Sequence, residues 1–257
     1  MNKTRTLLSV ASAAVVALAL AGCSSPAAEP APGDGPALVT AGSFTVCTNP
    51  SYEPFEFTRG GEIVGFDMDL AAEIAKDLDA KLEIISAPFE GIQSGAALDT
   101  AQCDAGITGM SINDTRRQAM DFSEPYYTDG LGLLVPKASG ITAVADLGDK
   151  AVGVQQATTG EEYATENGLN ALQFEESNMA LEGLRTGAVE AVINNLAVIT
   201  RGAENDDSLH VVAEFDSEEY GVAVRKGNTA LLEKINATIE RVNSDGTFDT
   251  LIDTWIK

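Results

Sequence analysis

Four short polar stretches in this 257-residue chain each follow an apolar, strand-like run, and they hold most of the side chains that could do chemistry. The first carries Asn49 and Tyr52, and the second runs from Thr108, Gly109 and Ser111 to Arg116-Arg117. The third carries Gln155 and Thr158-Thr159-Gly160, and the fourth is Asn194-Asn195 inside "EAVINNLAVI". Carboxamides and hydroxyls donate and accept hydrogen bonds, and a planar guanidinium grips a carboxylate through two parallel bonds. Thr158 and Thr159 open a helical pattern, where hydroxyls and free N–H groups favour an anion. This is the chemistry of holding a small polar molecule. A bond-breaking apparatus is not legible: there is a single His210, and there is no CxxC, HExxH, P-loop, GxSxG or GxGxxG. Metal, nucleotide and serine-hydrolase chemistry therefore have no support, and no cofactor is expected.

The elements that must position these residues alternate. Residues 44–48 read as a strand broken by Asn49-Pro50. In "GFDMDLAAEIAKDLDA" Phe66, Leu70, Ile74 and Leu78 share one helical face, with Asp67 as the expected N-cap. "KLEII" is a strand, residues 91–100 a short helix, "DAGITGM" a strand, and residues 115–118 a helical turn. "AVGVQ", "ALQF" and residues 189–193 are further strands, interleaved with a helix at 161–166 and one capped by Ser177. After residues 209–212 and "YGVAV" the chain ends in two amphipathic helices. Alternating strands and helices imply an α/β fold of mostly parallel sheets, whose ligands lie beyond the strands' carboxyl ends. The four polar stretches stand at such ends.

The start of the chain reads as an export signal. Lys3 and Arg5 precede the apolar "LLSVASAAVVALALAG", which stops at Cys23. Leu20-Ala21-Gly22-Cys23 resembles the lipobox of bacterial lipoproteins, which implies a signal peptide at 1–22 and a lipid on Cys23, anchoring the protein to the outer face of the cytoplasmic membrane. Residues 23–40, with Pro26, Pro30, Pro32 and Pro36, read as a tether. Without Lys3 and Arg5, 14 basic residues face 39 acidic ones, a formal charge of −25. That excludes nucleic acid, which needs a basic face, and suits a soluble exported domain.

In order, "NPSYEPFEF", "GFDMDLAAEIA", "FEGIQSGAALD", "CDAGITGMSINDTRRQAMDFSEPYY", "DLGDKAVGVQQATTG", "EAVINN" and "YGVAVRKG" resemble the polar amino-acid-binding proteins of ABC transporters, solute-binding family 3. The resemblance spans residues 44–255. It implies a two-lobed, Venus-flytrap periplasmic-binding-protein fold of type II. Lobe 1 is then 38–126 plus 221–257 and lobe 2 is 131–216, with hinge crossings at 127–130 and 217–220. A small solute bound between the lobes is delivered to an ABC permease and its ATPase by a protein that is a monomer and no enzyme. Arg116 matches the family's clamp on the ligand α-carboxylate, helped by Thr108, Gly109 and Ser111. Tyr52 and Phe89 match aromatic walls, and Gln155, Thr158 and Thr159 face them from lobe 2.

Asn195 departs from the pattern, because most of the family carries there an aspartate that pairs with the ligand α-ammonium. Asn49 likewise falls where some members carry aspartate. Burying an ammonium without an anion is costly. Either the ligand is a polar amino acid and Glu53, Glu90 or Glu161 supplies the charge, or it is a carboxylate without a free ammonium. A dehydratase-like enzyme and a sensor on the same fold are the remaining alternatives. The resemblance also sets Cys47 and Cys103 on neighbouring strands but out of register, so two small core thiols are expected rather than a disulfide.

Overall fold

The computed structural model describes residues 36–257. The signal peptide, Cys23 and most of the tether lie outside the described residues.

The chain first builds a lobe around the fully buried strand β1 (Ser43–Thr48). A small antiparallel sheet follows, of β2 (Ser51–Tyr52), β3 (Glu56–Arg59) and β4 (Glu62–Val64), and then helix α1 (Phe66–Asp77). Phe66, Leu70, Ala71, Ile74 and Ala75 are buried along one stripe of α1, each large side chain contributing roughly 1.5–3 kcal/mol. Its N-cap is Gly65, not Asp67 as the sequence suggested. Gly65 has φ 137°, and a Cβ there would lie 2.1 Å from the Phe55 carbonyl oxygen, so only glycine fits. Asp67 lies in the helix's first turn and is fully buried for another purpose.

Strand β5 (Lys81–Ser86) lies parallel to β1, with Cys47 opposite Ile85. The helix expected at 91–100 is two: α2 (Phe89–Gln93) and α3 (Ala96–Asp99), separated by Gly95 in the left-handed region. Strand β6 (Ala105–Gly106), helix α4 (Asp114–Ala119) and strand β7 (Met120–Phe122) complete this part. Strand β8 (Tyr127–Pro136) then carries the chain into the second lobe. That lobe continues through β9 (Ala151–Gln155), α5 (Thr159–Glu166), β10 (Asn170–Phe174), α6 (Ser177–Thr186), β11 (Ala191–Asn195) and α7 (Leu196–Glu204). Glu176, rather than Ser177, is the N-cap residue of α6. Strand β12 (Leu209–Tyr220) returns, and β13 (Ala223–Arg225), α8 (Thr229–Ser244) and α9 (Thr247–Trp255) finish the first lobe.

The two main sheets run β5-β1-β6-β13-β7 and β10-β9-β11-β8-β12. They are mixed rather than mostly parallel: β13 is antiparallel to both its neighbours, and so is β8. The antiparallel strands adjoin the crossings, where the chain leaves one sheet and comes back through it. Between the lobes β8 and β12 pair directly, with Glu218 opposite Asp129 and Tyr220 opposite Tyr127. Phe55 stands edge-on to Tyr127 and Tyr220 at 5.1 and 5.2 Å between ring centres, packing the base of the crossing with aromatics.

Cys47 and Cys103 form a disulfide, which corrects the expectation of two thiols. The register argument assumed that Cys103 continues the line of β6. That strand is only Ala105–Gly106 long, and Asp104 turns the chain just before it by accepting the Val39 and Thr45 N–H groups at 2.6 and 2.8 Å. Cys103 is thereby brought to a Cα separation of 5.7 Å from Cys47, within reach of the bond. Among the described residues no helix is long and apolar enough to cross a membrane.

Candidate ligand-binding site

Asn49, Tyr52, Phe89, Thr108, Gly109, Ser111, Arg116, Gln155, Thr158, Thr159 and Asn195 line one cavity between the lobes, together with Glu56. Except for Glu56, which opens β3, each comes from at or beyond the carboxyl end of a strand or from the first turns of a helix. Asn49 follows β1, and Thr108-Gly109 follow β6. Arg116 lies in α4, which Asn113 caps by accepting the Arg116 N–H at 2.8 Å. Thr158 caps α5, accepting from the Glu161 N–H and donating to the Gln155 carbonyl at 2.7 Å. Gly109 has φ 49°, and a Cβ there would meet the Tyr52 ring at 2.8 Å, so the backbone and the ring can close only over glycine.

Arg116 brings a buried cation to this cavity. It is only 4% exposed. Its hydrogen bonds among the described residues all go to neutral oxygens: the Ser111 carbonyl at 2.8 Å, the Ala157 carbonyl at 3.2 Å and the Gln93 side chain at 3.4 Å. The Phe89 ring lies 5.2 Å from the guanidinium carbon. Burial without a bonded anion pushes the guanidinium down to about 10. Arg117, its neighbour in sequence, is exposed. The site therefore presents a desolvated cation with hydrogen-bonding capacity to spare, the arrangement that a carboxylate satisfies.

Around it the lobes join through amides and hydroxyls. The Tyr52 hydroxyl donates to Asn194 at 3.1 Å and to the Asn195 carbonyl oxygen. Gln155 donates to Asn49 at 3.1 Å, and Asn49 donates to the two carboxylate oxygens of Glu176 at 3.1 and 3.2 Å. The enclosed space is ≈ 10 Å³, about one water. A groove of ≈ 480 Å³ shares Arg116, Thr158 and Thr159 with it and also touches Glu161, Glu162 and Glu166.

Asn195 ends β11 and is the N-cap residue of α7, yet its side chain makes no capping bond. Asp129 serves that helix instead, accepting the Ala197 N–H at 3.2 Å. Asn195 gives its amide N–H to the Glu218 carboxylate at 2.6 Å, and Glu218 also accepts from the Ser111 hydroxyl at 2.7 Å. None of the three glutamates considered from sequence lines the cavity. Glu53 lies along another groove with Asn178 and Arg185. Glu90 is exposed. Glu161 is bonded to the Ala157 N–H and to Gln173. Sequence reasoning missed Glu218 and Glu56, since a lone glutamate in a strand carries no motif.

Beneath Thr108 and Gly109 lies a pair of buried acids. Glu56 accepts from the Thr108 hydroxyl at 2.6 Å, and Asp67 accepts the Gly109 N–H at 2.7 Å and the Tyr126 hydroxyl at 3.0 Å. Burial and then the Asp67 charge push Glu56 well above the usual carboxylate range, and burial pushes Asp67 up to about 6. Among the described residues no group of histidines, cysteines and acids could hold a metal ion.

Residues 44–257 match the bacterial extracellular solute-binding proteins, family 3. The chain belongs to that family. It is 32% identical over 221 residues to the L-cystine-binding protein of Escherichia coli (strain K12), covering 83% of this chain and 82% of that one. With the ABC transporter glutamine-binding protein of Bacillus subtilis (strain 168) it shares 35% over 208 residues, 77% and 74% of the two chains. Among solved structures, an ancestral arginine-binding protein bound to arginine superposes with a TM-score of 0.79 at 37% identity, over 84% of this chain and 99% of the other. An ancestral amino acid-binding protein described as a precursor of cyclohexadienyl dehydratase gives 0.79 at 34%, over 84% and 96%. The fold of this family 3 member is the two-lobed α/β architecture of periplasmic-binding proteins, and its role is extracytoplasmic solute binding in ABC transport.

Proposed function

We propose that this protein captures a small α-amino acid between its two lobes and delivers it to an ABC importer. The observation that carries the reading is Arg116, a buried guanidinium bonded only to neutral oxygens at the inner end of a cavity lined from both lobes. The ligand carboxylate takes Arg116, with Ser111 and the groups at Thr108 and Gly109 beside it. Tyr52 and Phe89 wall the side chain, and Asn49, Gln155, Thr158, Thr159 and Asn195 close over it. Residues 127–130 and 217–220 act as the hinge. Cys23 carries the lipid that holds a monomeric protein at the outer face of the cytoplasmic membrane, and residues 23–40 are its tether. Relatives named for L-cystine and glutamine, and a solved neighbour bound to arginine, support an amino acid as the class.

Calorimetry with the standard L-amino acids on the mature protein tests this, with saturable one-to-one binding of at least one of them expected. Silence across the panel refutes the reading. A second reading, a carboxylate lacking an ammonium, rests on the neutral amides Asn49 and Asn195 in the cavity wall. It predicts that 2-hydroxy acids bind and amino acids do not. We read the protein as a binder and not a catalyst, because Glu56, the one acid lining the cavity among the described residues, is fully buried and tied to Thr108, with no base or nucleophile bonded beside it. Turnover of a bound solute refutes that.

A further inference from the structure

Glu218 lies on the crossing strand β12, in neither sheet's interior, and its carboxylate meets one cavity residue from each lobe. It accepts from the Ser111 hydroxyl at 2.7 Å and from the Asn195 amide at 2.6 Å. Among the described residues no cation pairs with it. The other acid at this point of the crossing, Asp129, is already engaged by the Ala197 N–H and by the Tyr220 hydroxyl at 3.0 Å.

Two features make Glu218 more than a surface acid. Arg116 donates to the carbonyl of Ser111, the residue whose hydroxyl Glu218 accepts, so opposite charges flank one residue without forming an ion pair with each other. A ligand carrying a carboxylate and an ammonium on one carbon has the same close pair of opposite charges. In addition, the Asn195 amide has given its N–H to Glu218, which leaves the carbonyl oxygen as the group it turns to the cavity, where the Tyr52 hydroxyl meets it. An amide could present either end; here it is set as an acceptor, the polarity an ammonium needs.

We propose that Glu218, which stands behind the cavity wall rather than in it, is a specificity-determining positioning residue of this cleft: acting through Asn195 and Ser111, it sets a negative field at the place of the ligand's α-ammonium and fixes Asn195 as the acceptor there. This rests on the amino-acid reading above and deepens it.

The experiment compares the parent protein, Glu218→Gln, Asn195→Asp and the double variant by calorimetry. The probes are an amino acid that the parent binds and the 2-hydroxy acid with the same side chain. Glu218→Gln is expected to weaken the amino acid about 100-fold, the scale of losing a partner to a buried charge, and to leave the hydroxy acid within about threefold. Adding Asn195→Asp to Glu218→Gln is expected to restore at least about tenfold, because it places a carboxylate in the cavity wall next to the one removed. That rescue separates a charge role from a merely structural one. Amino-acid affinity within about threefold of the parent in Glu218→Gln overturns the assignment alone. Equal losses for both probes, with no rescue, overturn it as well and leave only a role in closure. A parent protein silent to every amino acid overturns the amino-acid reading and this proposal with it.

Discussion

Replacing Arg116 by methionine should have opposite consequences with and without ligand, and the structure gives a scale for each. Burial lowers the guanidinium from its ordinary value to about 10, which corresponds to about 3 kcal/mol of unfavourable desolvation in the folded state. Since the folded pKa of this base is depressed, that cost is in force throughout the neutral range and lifts only as pH rises past the folded value towards the unfolded one. Methionine fills similar volume without charge, so the unliganded protein should unfold within about 1 kcal/mol of the parent, or later, in a urea titration. With ligand the sign reverses. A carboxylate bound in the same enclosed space faces no cation, and breaking a buried ion pair by removing one partner costs about 3–5 kcal/mol. The dissociation constant should rise by at least about a hundredfold, read by calorimetry and as a lost ligand-induced shift in melting temperature. Affinity within tenfold of the parent would refute the clamp. Destabilisation of the unliganded protein by about 3 kcal/mol would show instead that Arg116 is a strut bridging Ser111 and Ala157.

Further outcomes follow from the same geometry. Reducing the Cys47–Cys103 disulfide, which spans 56 residues, should cost about 4 kcal/mol of unfolding free energy by the chain-entropy account, seen in urea titrations with and without reductant. Gly109→Ala forces a Cβ to within 2.8 Å of the Tyr52 ring at a positive φ. It should lower stability by about 1–2 kcal/mol and amino-acid affinity by more than tenfold; a silent substitution would mean that Tyr52 does not close over this loop. The raised pKa of Asp67 makes the folded state the better proton binder. Its contribution to stability is therefore full below the ordinary carboxylate value of 3.8 and is lost as pH rises through about 6. Urea midpoints of Asp67→Asn relative to the parent should accordingly improve between about pH 4 and pH 6.5, by up to about 3 kcal/mol at the upper end. A flat difference would contradict the burial argument.

The parts of this molecule legible in the sequence are those set by local periodicity and by strand ends. The stripe Phe66, Leu70, Ile74 announced α1, and the polar residues at the ends of β9 and β11 and just past β1 and β6 announced where the lobes meet, because a polar side chain at a strand's end does not belong to the sheet's apolar core. What escaped was set by long-range partners. Asp67 looked like a cap because it is a short acid at the start of a helix; its actual partners, Gly109 and Tyr126, are 42 and 59 residues away. Cys103 looked out of reach because a register was extended past the end of a two-residue strand.

Asn195 is the same problem in its functional form. Judged as a single position, a neutral asparagine in the cavity wall brings no charge to the site. Its side chain is hydrogen-bonded, however, to a carboxylate 23 residues further along the chain, on a different strand. An amide bonded to a carboxylate is held with its acceptor outward and sits within the field of the charge, so the pair can keep the electrostatics of one aspartate while the residue at the expected place is neutral. Asn49 stands in the same relation to Glu176, across the interlobe space. Reading each cavity residue alone therefore misses the acids bonded to the amides of its wall. The informative unit is the hydrogen-bonded pair, which only the fold brings together.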